Sequence, residues 1–293
     1  MRNPAPVILT LILAAVAAFL ILRKPDAEPA EPAAPTEAPA EVTESDDPEA
    51  PAEQPEPMMT DVVAPRSWPQ ADSDLEVDSN ATFGHLENGM RYIIYPNAEP
   101  PERVSLRLHI DAGSLMEGED QRGLAHFLEH MVFNGSKNFT PDELIPRMQR
   151  LGIAFGAHVN AYTSFDETVY MLDLPDLSDE MMKLGMTVMR DFCDGALLET
   201  EEIDKERGVI LSEKTSRDSV GYRLMEQQFS TLIPDSLITD RFPIGTEEII
   251  KTAPRERFVD FYKSYYTPAR MTFVMVGDID PKDAEKRIAE TFG

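Results

Sequence analysis

The run His126-Phe-Leu-Glu-His130 constrains this chain more than any other five residues. Two histidines spaced i and i+4 present their rings from one face only if the segment is helical, so a helix over about 122–134 is expected. Two neutral imidazoles on one face can grip a single metal ion and leave a position open for water. Glu129 lies on that same face, displaced from the pair, where a carboxylate can take a proton from that water. A helix with two surface histidines would show the same spacing. The motif therefore requires a third ligand from another element.

Two candidates stand in the segment Glu206-Arg-Gly-Val-Ile-Leu-Ser-Glu213. On a helix these carboxylates share a face two turns apart. The spacing predicts a helix over 200–217, with Glu201, Glu202 and Asp204 at its positive end and Ile203, Ile210 and Leu211 as its apolar positions. Spacing alone does not choose between Glu206 and Glu213, nor between a ligand pair and a solvated acidic face. A further block, Gly156 to Tyr170, reads as two strands over 153–163 and 167–174 joined at Ser164–Glu167. Asn160 within it is either a strand-end residue satisfying its own backbone or a polar group aimed at a ligand. His158 reads as a structural or surface histidine.

Composition frames these motifs. Residues 6–22 form a nearly unbroken apolar run between Arg2 and Arg23-Lys24, read as an uncleaved signal anchor occupying residues 1–24. No cysteine stands near it, so a lipid anchor is not expected. Residues 25–74 hold eleven prolines and fourteen acidic residues against one arginine, a segment too polar to fold and extended by its own charge. Its arrangement is that of a tether holding a folded domain, 75–293, away from a membrane on the exported side. Trp68, near the end of the tether, either docks on that domain or is exposed. The chain carries a formal charge of −26, which argues against nucleic acid and favours basic or neutral peptides as partners. The lone Cys193 excludes an internal disulfide framework and reads as a small buried residue.

Element order points to an α/β fold, a mixed and largely antiparallel sheet packed with helices. A hairpin turns at Asn88-Gly89, and Val104–Ala112 alternates as a strand. Thr140-Pro-Asp-Glu143 combines a capping box with proline at the first helical position, and Gly152 ends that helix. Helices are expected near 178–194, 200–217 and 219–232. Thr246 and Pro254 open two more, 271–277 is an apolar strand, and a last helix spans 281–292.

Taken together, His126 to Phe139, the Glu206/Glu213 pair and the Gly156–Tyr170 block resemble the pitrilysin–insulinase family of zinc peptidases, the inverzincins, to which the mitochondrial processing peptidase also belongs. The resemblance implies the metallohydrolase fold of that peptidase and one Zn2+ per domain. It implies His126, His130 and Glu213 as ligands, Glu129 as general base and Glu206 as the supporting carboxylate. It further implies that Asn160 faces a substrate carbonyl on a strand edge that pairs with an extended peptide. Such proteins carry two or four of these units, so a second half is expected from a downstream region, a separate subunit or a second copy. Two alternatives accompany this reading. S-ribosylhomocysteine lyase also uses His-x-x-Glu-His, with a cysteine as third ligand, a place that Cys193 would have to fill. A non-catalytic subunit on the peptidase scaffold is the other.

Overall fold

The computed structural model describes residues 67–293; the apolar run at 6–22 and most of the 25–74 linker lie outside the described residues. Six strands form one sheet in the order β1-β2-β6-β3-β5-β4. They are β1 (Thr82–His85), β2 (Arg91–Pro96), β3 (Val104–Ile110), β4 (Val159–Thr163), β5 (Thr168–Leu174) and β6 (Met271–Gly277). Every pairing is antiparallel except β2 with β6. The β1–β2 hairpin turns at Asn88-Gly89, where Gly89 takes φ +91°, a conformation that favours glycine.

Alternation along the strands creates one dry face. Tyr92, Phe273, Leu108, Tyr170 and Ala161 lie in register across five strands, and Ile94, Met275, Leu106, Leu172 and Val159 form the next row. Nearly all of these residues are buried, whereas Ser105, Arg107 and His109 of β3 face the other way and are only half-buried. Helices supply the cover. Among the described residues these are α1 (Leu124–Met131), α2 (Leu144–Arg150), α3 (Asp179–Asp194), α4 (Thr200–Arg217), α5 (Val220–Leu232), α6 (Glu247–Thr252), α7 (Arg255–Tyr265) and α8 (Pro281–Phe292). Gly185 of α3 sits so close to Leu106 and Leu174 that a Cβ there would lie 3.0 Å from the latter. Phe292 of α8 stacks on Phe273 with ring centroids 4.7 Å apart.

Several boundaries differ from the sequence expectation. The strand expected over 153–163 is regular only from Val159, because Gly156 at φ +83° breaks the extended run and His158 Nδ1 accepts from Ala154 N at 3.0 Å. α2 starts at Leu144 instead of Pro141. Residues 141–143 form a turn in which Glu143 N donates to Thr140 O at 3.0 Å, so the expected capping box tightens the approach and does not begin the helix. α1 is also shorter than 122–134, since Gly123 and Gly135 both take φ +105° and bracket it. Trp68 docks edge-on against Phe83, at 5.0 Å between centroids, beneath the guanidinium of Arg91.

One close crossing positions α1. Gly245, at φ +68°, passes so near Gly123 that a Cβ on it would lie 2.3 Å from the Gly123 Cα. Gly245→Ala combines a strained φ with a backbone clash, so the unfolding free energy is expected to fall by roughly 2 kcal/mol or more in urea titration. An unchanged midpoint would show that the two segments separate at no cost.

Candidate metal centre

α1 is a buried helix. Leu124, Ala125, Phe127, Leu128 and Met131 are almost fully enclosed, with the Phe127 ring edge-on to Phe258 of α7 at 4.8 Å. An enclosed helix N-terminus needs acceptors for its free N–H groups. Glu117 supplies them, accepting from Gly123 N at 2.9 Å and Ala125 N at 2.8 Å. Burial pushes the Glu117 carboxyl up to about 8 despite those two donors and the nearby Arg241 and Arg122. Arg241, itself buried, donates to the Glu117 carbonyl at 3.1 Å and pairs with Glu119 at 2.5 Å.

α4 crosses beside α1 and brings the carboxylates. Ile203 and Ile210 anchor it in the core. Arg207 donates to the Ile250 carbonyl at 2.6 Å and the Ala253 carbonyl at 2.7 Å, fastening α4 over the end of α6. Near its C-terminus, Lys214 Nζ donates to Gly245 O at 2.7 Å. The same segment that meets Gly123 thus also holds α4.

The structure brings His126, His130 and Glu213 together, with one potential ligand atom from each lying within 4.8 Å of the others. Glu213 Oε2 stands 3.5 Å from His126 Nε2 and 3.5 Å from His130 Nε2. Ligand atoms bound at about 2.0–2.2 Å around a tetrahedral metal are separated by about 3.3–3.6 Å, so these two spacings suit the edges of a zinc coordination shell. Two nitrogens and one carboxylate oxygen are also a donor set that zinc accepts in hydrolytic sites. The residues fit the ion.

Glu206 takes a different place. Its Oε1 lies 2.8 Å from His130 Nδ1, and its Oε2 accepts from Asn134 Nδ2 at 2.8 Å. A carboxylate on Nδ1 directs the proton there and leaves the Nε2 lone pair facing the cluster. His126 has no such support, since its Nδ1 is buried without a hydrogen-bond partner among the described residues.

The charges are strongly coupled. Burial lowers the His130 pKa, but the Glu206 and Glu213 carboxylates outweigh it and hold the imidazole at about 9. Hydrogen bonds from His126 and His130 keep Glu213 far below the usual carboxylate range, against a smaller effect of burial. Arg217 also pairs with Glu213 from the solvent side. For Glu206, burial raises the pKa, yet His130 and Asn134 leave it lowered overall. Glu129 goes the other way. Burial pushes its carboxyl up, only partly countered by a Thr163 hydrogen bond of 2.6 Å and the two histidines.

The remaining sequence candidates lie apart from this cluster. Asn160 is on the edge strand β4, but its exposed side chain projects to the face opposite α1, and its Oδ1 accepts from Ala161 N at 2.9 Å. Cys193 is buried in α3, with its thiol donating to Met189 O at 3.2 Å and its pKa driven up by burial. It is outside the ligand cluster. Sequence reasoning did not single out Thr163, Asn134 or Glu117. The first two lie inside the quoted motif blocks, but only strand register and helix packing show what they touch.

The profile for Insulinase (Peptidase family M16) matches residues 92–230, and the profile for the Peptidase M16 inactive domain matches residues 252–293. The chain belongs to the M16 peptidase family. It is 39% identical over 210 residues to the probable zinc protease PqqL of Escherichia coli, covering 72% of this chain and 23% of that protein. It is 35% identical to the chloroplastic stromal processing peptidase of Arabidopsis thaliana, covering 67% of this chain and 15% of that one. The crystal structure of the first half of the periplasmic protease PqqL from Escherichia coli superposes with a TM-score of 0.72 at 38% identity. That match covers 74% of this chain and 46% of the other. The chain thus spans less than a quarter of the length of these curated relatives. Residues 252–293 contribute α7, β6 and α8 and none of the metal-centre residues, so the word "inactive" in that profile's description does not touch the centre.

Removing the His130 support should loosen the metal. Glu206→Ala is expected to weaken zinc affinity by about 10–100-fold in chelator competition, with Glu213→Ala losing zinc and Cys193→Ala keeping it. Zinc retained by Glu213→Ala but lost by Cys193→Ala would dismantle this assignment. Since His130 holds a proton up to about 9, zinc must displace it. Apparent affinity should therefore climb by up to about tenfold per pH unit from neutrality and level off above that pKa.

Proposed function

We propose that this chain is the metal-bearing unit of a zinc-dependent endopeptidase acting on peptides or unfolded polypeptides. The observation that carries the reading is the placement of Glu129 on the same buried helix turn as His126 and His130, beside their cluster with Glu213, with its carboxyl raised by burial. His126, His130 and Glu213 would hold one zinc ion, and Glu206 would fix the His130 ring. When bound, zinc supplies a Lewis acid that polarises a peptide carbonyl and makes a water easier to deprotonate.

Glu129 then does the proton work. It accepts the proton of the attacking water and returns it to the leaving amine, and a raised pKa suits both directions near neutral pH. Both histidines favour its charged form and partly offset the effect of burial. An extended peptide would lie along β4, whose outer edge carries no neighbouring strand among the described residues. The Asn160 carboxamide stands at that edge, where it would meet a substrate carbonyl once released from Ala161 N.

One similar protein is described as a periplasmic protease, which supports an exported catalytic domain here. The 6–22 apolar run would tether it to the membrane, while no helix among the described residues is long and apolar enough to cross one. A second homologous half would close the cleft, in keeping with a relative solved as its first half. Water exclusion and substrate alignment depend on that closure.

Glu129→Gln preserves shape and removes the proton acceptor. In the full-length protein, kcat on an internally quenched peptide should drop by roughly 10²–10⁴-fold with zinc content unchanged. Near-normal turnover would exclude Glu129 as the base.

A further inference from the structure

Glu129 has one hydrogen-bond partner among the described residues, the Thr163 hydroxyl, which donates to its Oε2 at 2.6 Å. Thr163 is the last residue of β4, and its side chain follows Val159 and Ala161 onto the helix-covered face of the sheet. Its main chain points elsewhere. Just beyond the two ends of β4, Asp173 N donates to His158 O and Ser164 N to Glu167 O, both at 2.8 Å. The hydrogen-bonded pairs of the β4–β5 ladder therefore fall on the even-numbered residues of β4. Alternation in an antiparallel ladder turns the N–H and C=O of Val159, Ala161 and Thr163 to the outer edge. Val159 is already engaged there by Ala154 and Gly156. Ala161 N is covered by the Asn160 carboxamide. Thr163 is the residue that meets the open edge with its backbone and the base with its side chain.

We propose that Thr163 is a positioning residue that couples docking of the substrate strand to alignment of Glu129. The inference rests on the peptidase function proposed for this chain. A peptide pairing with the edge of β4 would bond the Thr163 main chain and order the end of the strand. The hydroxyl, fixed by the same residue, holds Oε2 and leaves Oε1 to take the proton. The terminal torsion of a glutamate is broad and roughly two-fold, so without that donor the carboxylate samples orientations in which neither oxygen faces the water. Val at this position keeps the β-branch and removes only the donor. Ser keeps the donor and removes the methyl.

The test measures kcat, KM, zinc content and melting temperature for the full-length zinc-loaded protein, Thr163→Val and Thr163→Ser on one internally quenched peptide. Thr163→Val should lose roughly 10- to 100-fold in kcat, the scale of a misplaced catalytic group, with KM within about threefold of the parent. Zinc content and melting temperature should hold, and Thr163→Ser should recover most of kcat. Thr163→Val turnover within about twofold of the parent, on the same scale, would overturn the coupling. So would equal losses in the two variants, which would assign the effect to packing of the methyl. If the parent protein shows no zinc-dependent hydrolysis, the peptidase function itself falls, an outcome distinct from a normal parent with an unaffected Thr163→Val.

Discussion

The enclosure of α1 is the constraint on which the site depends. An eight-residue helix has little stability of its own, so its shape comes from what surrounds it. β4 and β5 lie beneath it, α4 and α7 flank it, and Glu117 satisfies its N-terminal N–H groups from inside the protein. Burial of a carboxylate is unfavourable unless it is hydrogen-bonded, and Glu117 is held by the two N–H groups that most need an acceptor. The result is a rigid platform from which two imidazoles emerge with ring centroids 4.9 Å apart.

The second determinant is charge density. Glu129, Glu206 and Glu213 surround two histidines in a half-buried space, and each carboxylate raises its neighbours' preference for a proton. In such a setting His130 binds its proton more firmly than a free imidazole does. A divalent cation offers the same neutralisation with better geometry, since the nitrogens and the Glu213 oxygen already stand at coordination spacing. The carboxylates are then divided by position. Glu213 faces the cluster, Glu206 faces the back of His130, and Glu129 is held to one side by Thr163.

The fold arranges these parts by long-range closure. β6 enters the middle of the sheet from the far end of the chain, and the loop carrying Arg241 and Gly245 returns to lock the approach to α1. The His126/His130/Glu213 cluster therefore lies beside β4, an edge strand, because the strands remote in sequence fill the interior of the sheet.

Much of this was legible in the sequence, since local periodicity reports local structure. The His126–His130 spacing, the 200–217 helix, the Asn88-Gly89 hairpin and the apolar 271–277 strand all appear where pattern placed them. Boundaries slipped where a glycine at positive φ or a turn overruled pattern, at Gly156, Gly135 and Pro141. Spacing named two carboxylates on α4 and could not rank them, since both lie on one helical face. Only the crossing of α4 over α1 turns Glu213 to the Nε2 atoms and Glu206 to His130 Nδ1. The same holds for Thr163 and Asn160, three residues apart in one strand. Sequence set the residue types and their alternation, but which face meets α1 is a matter of register against β5, a contact that exists only once the sheet has formed.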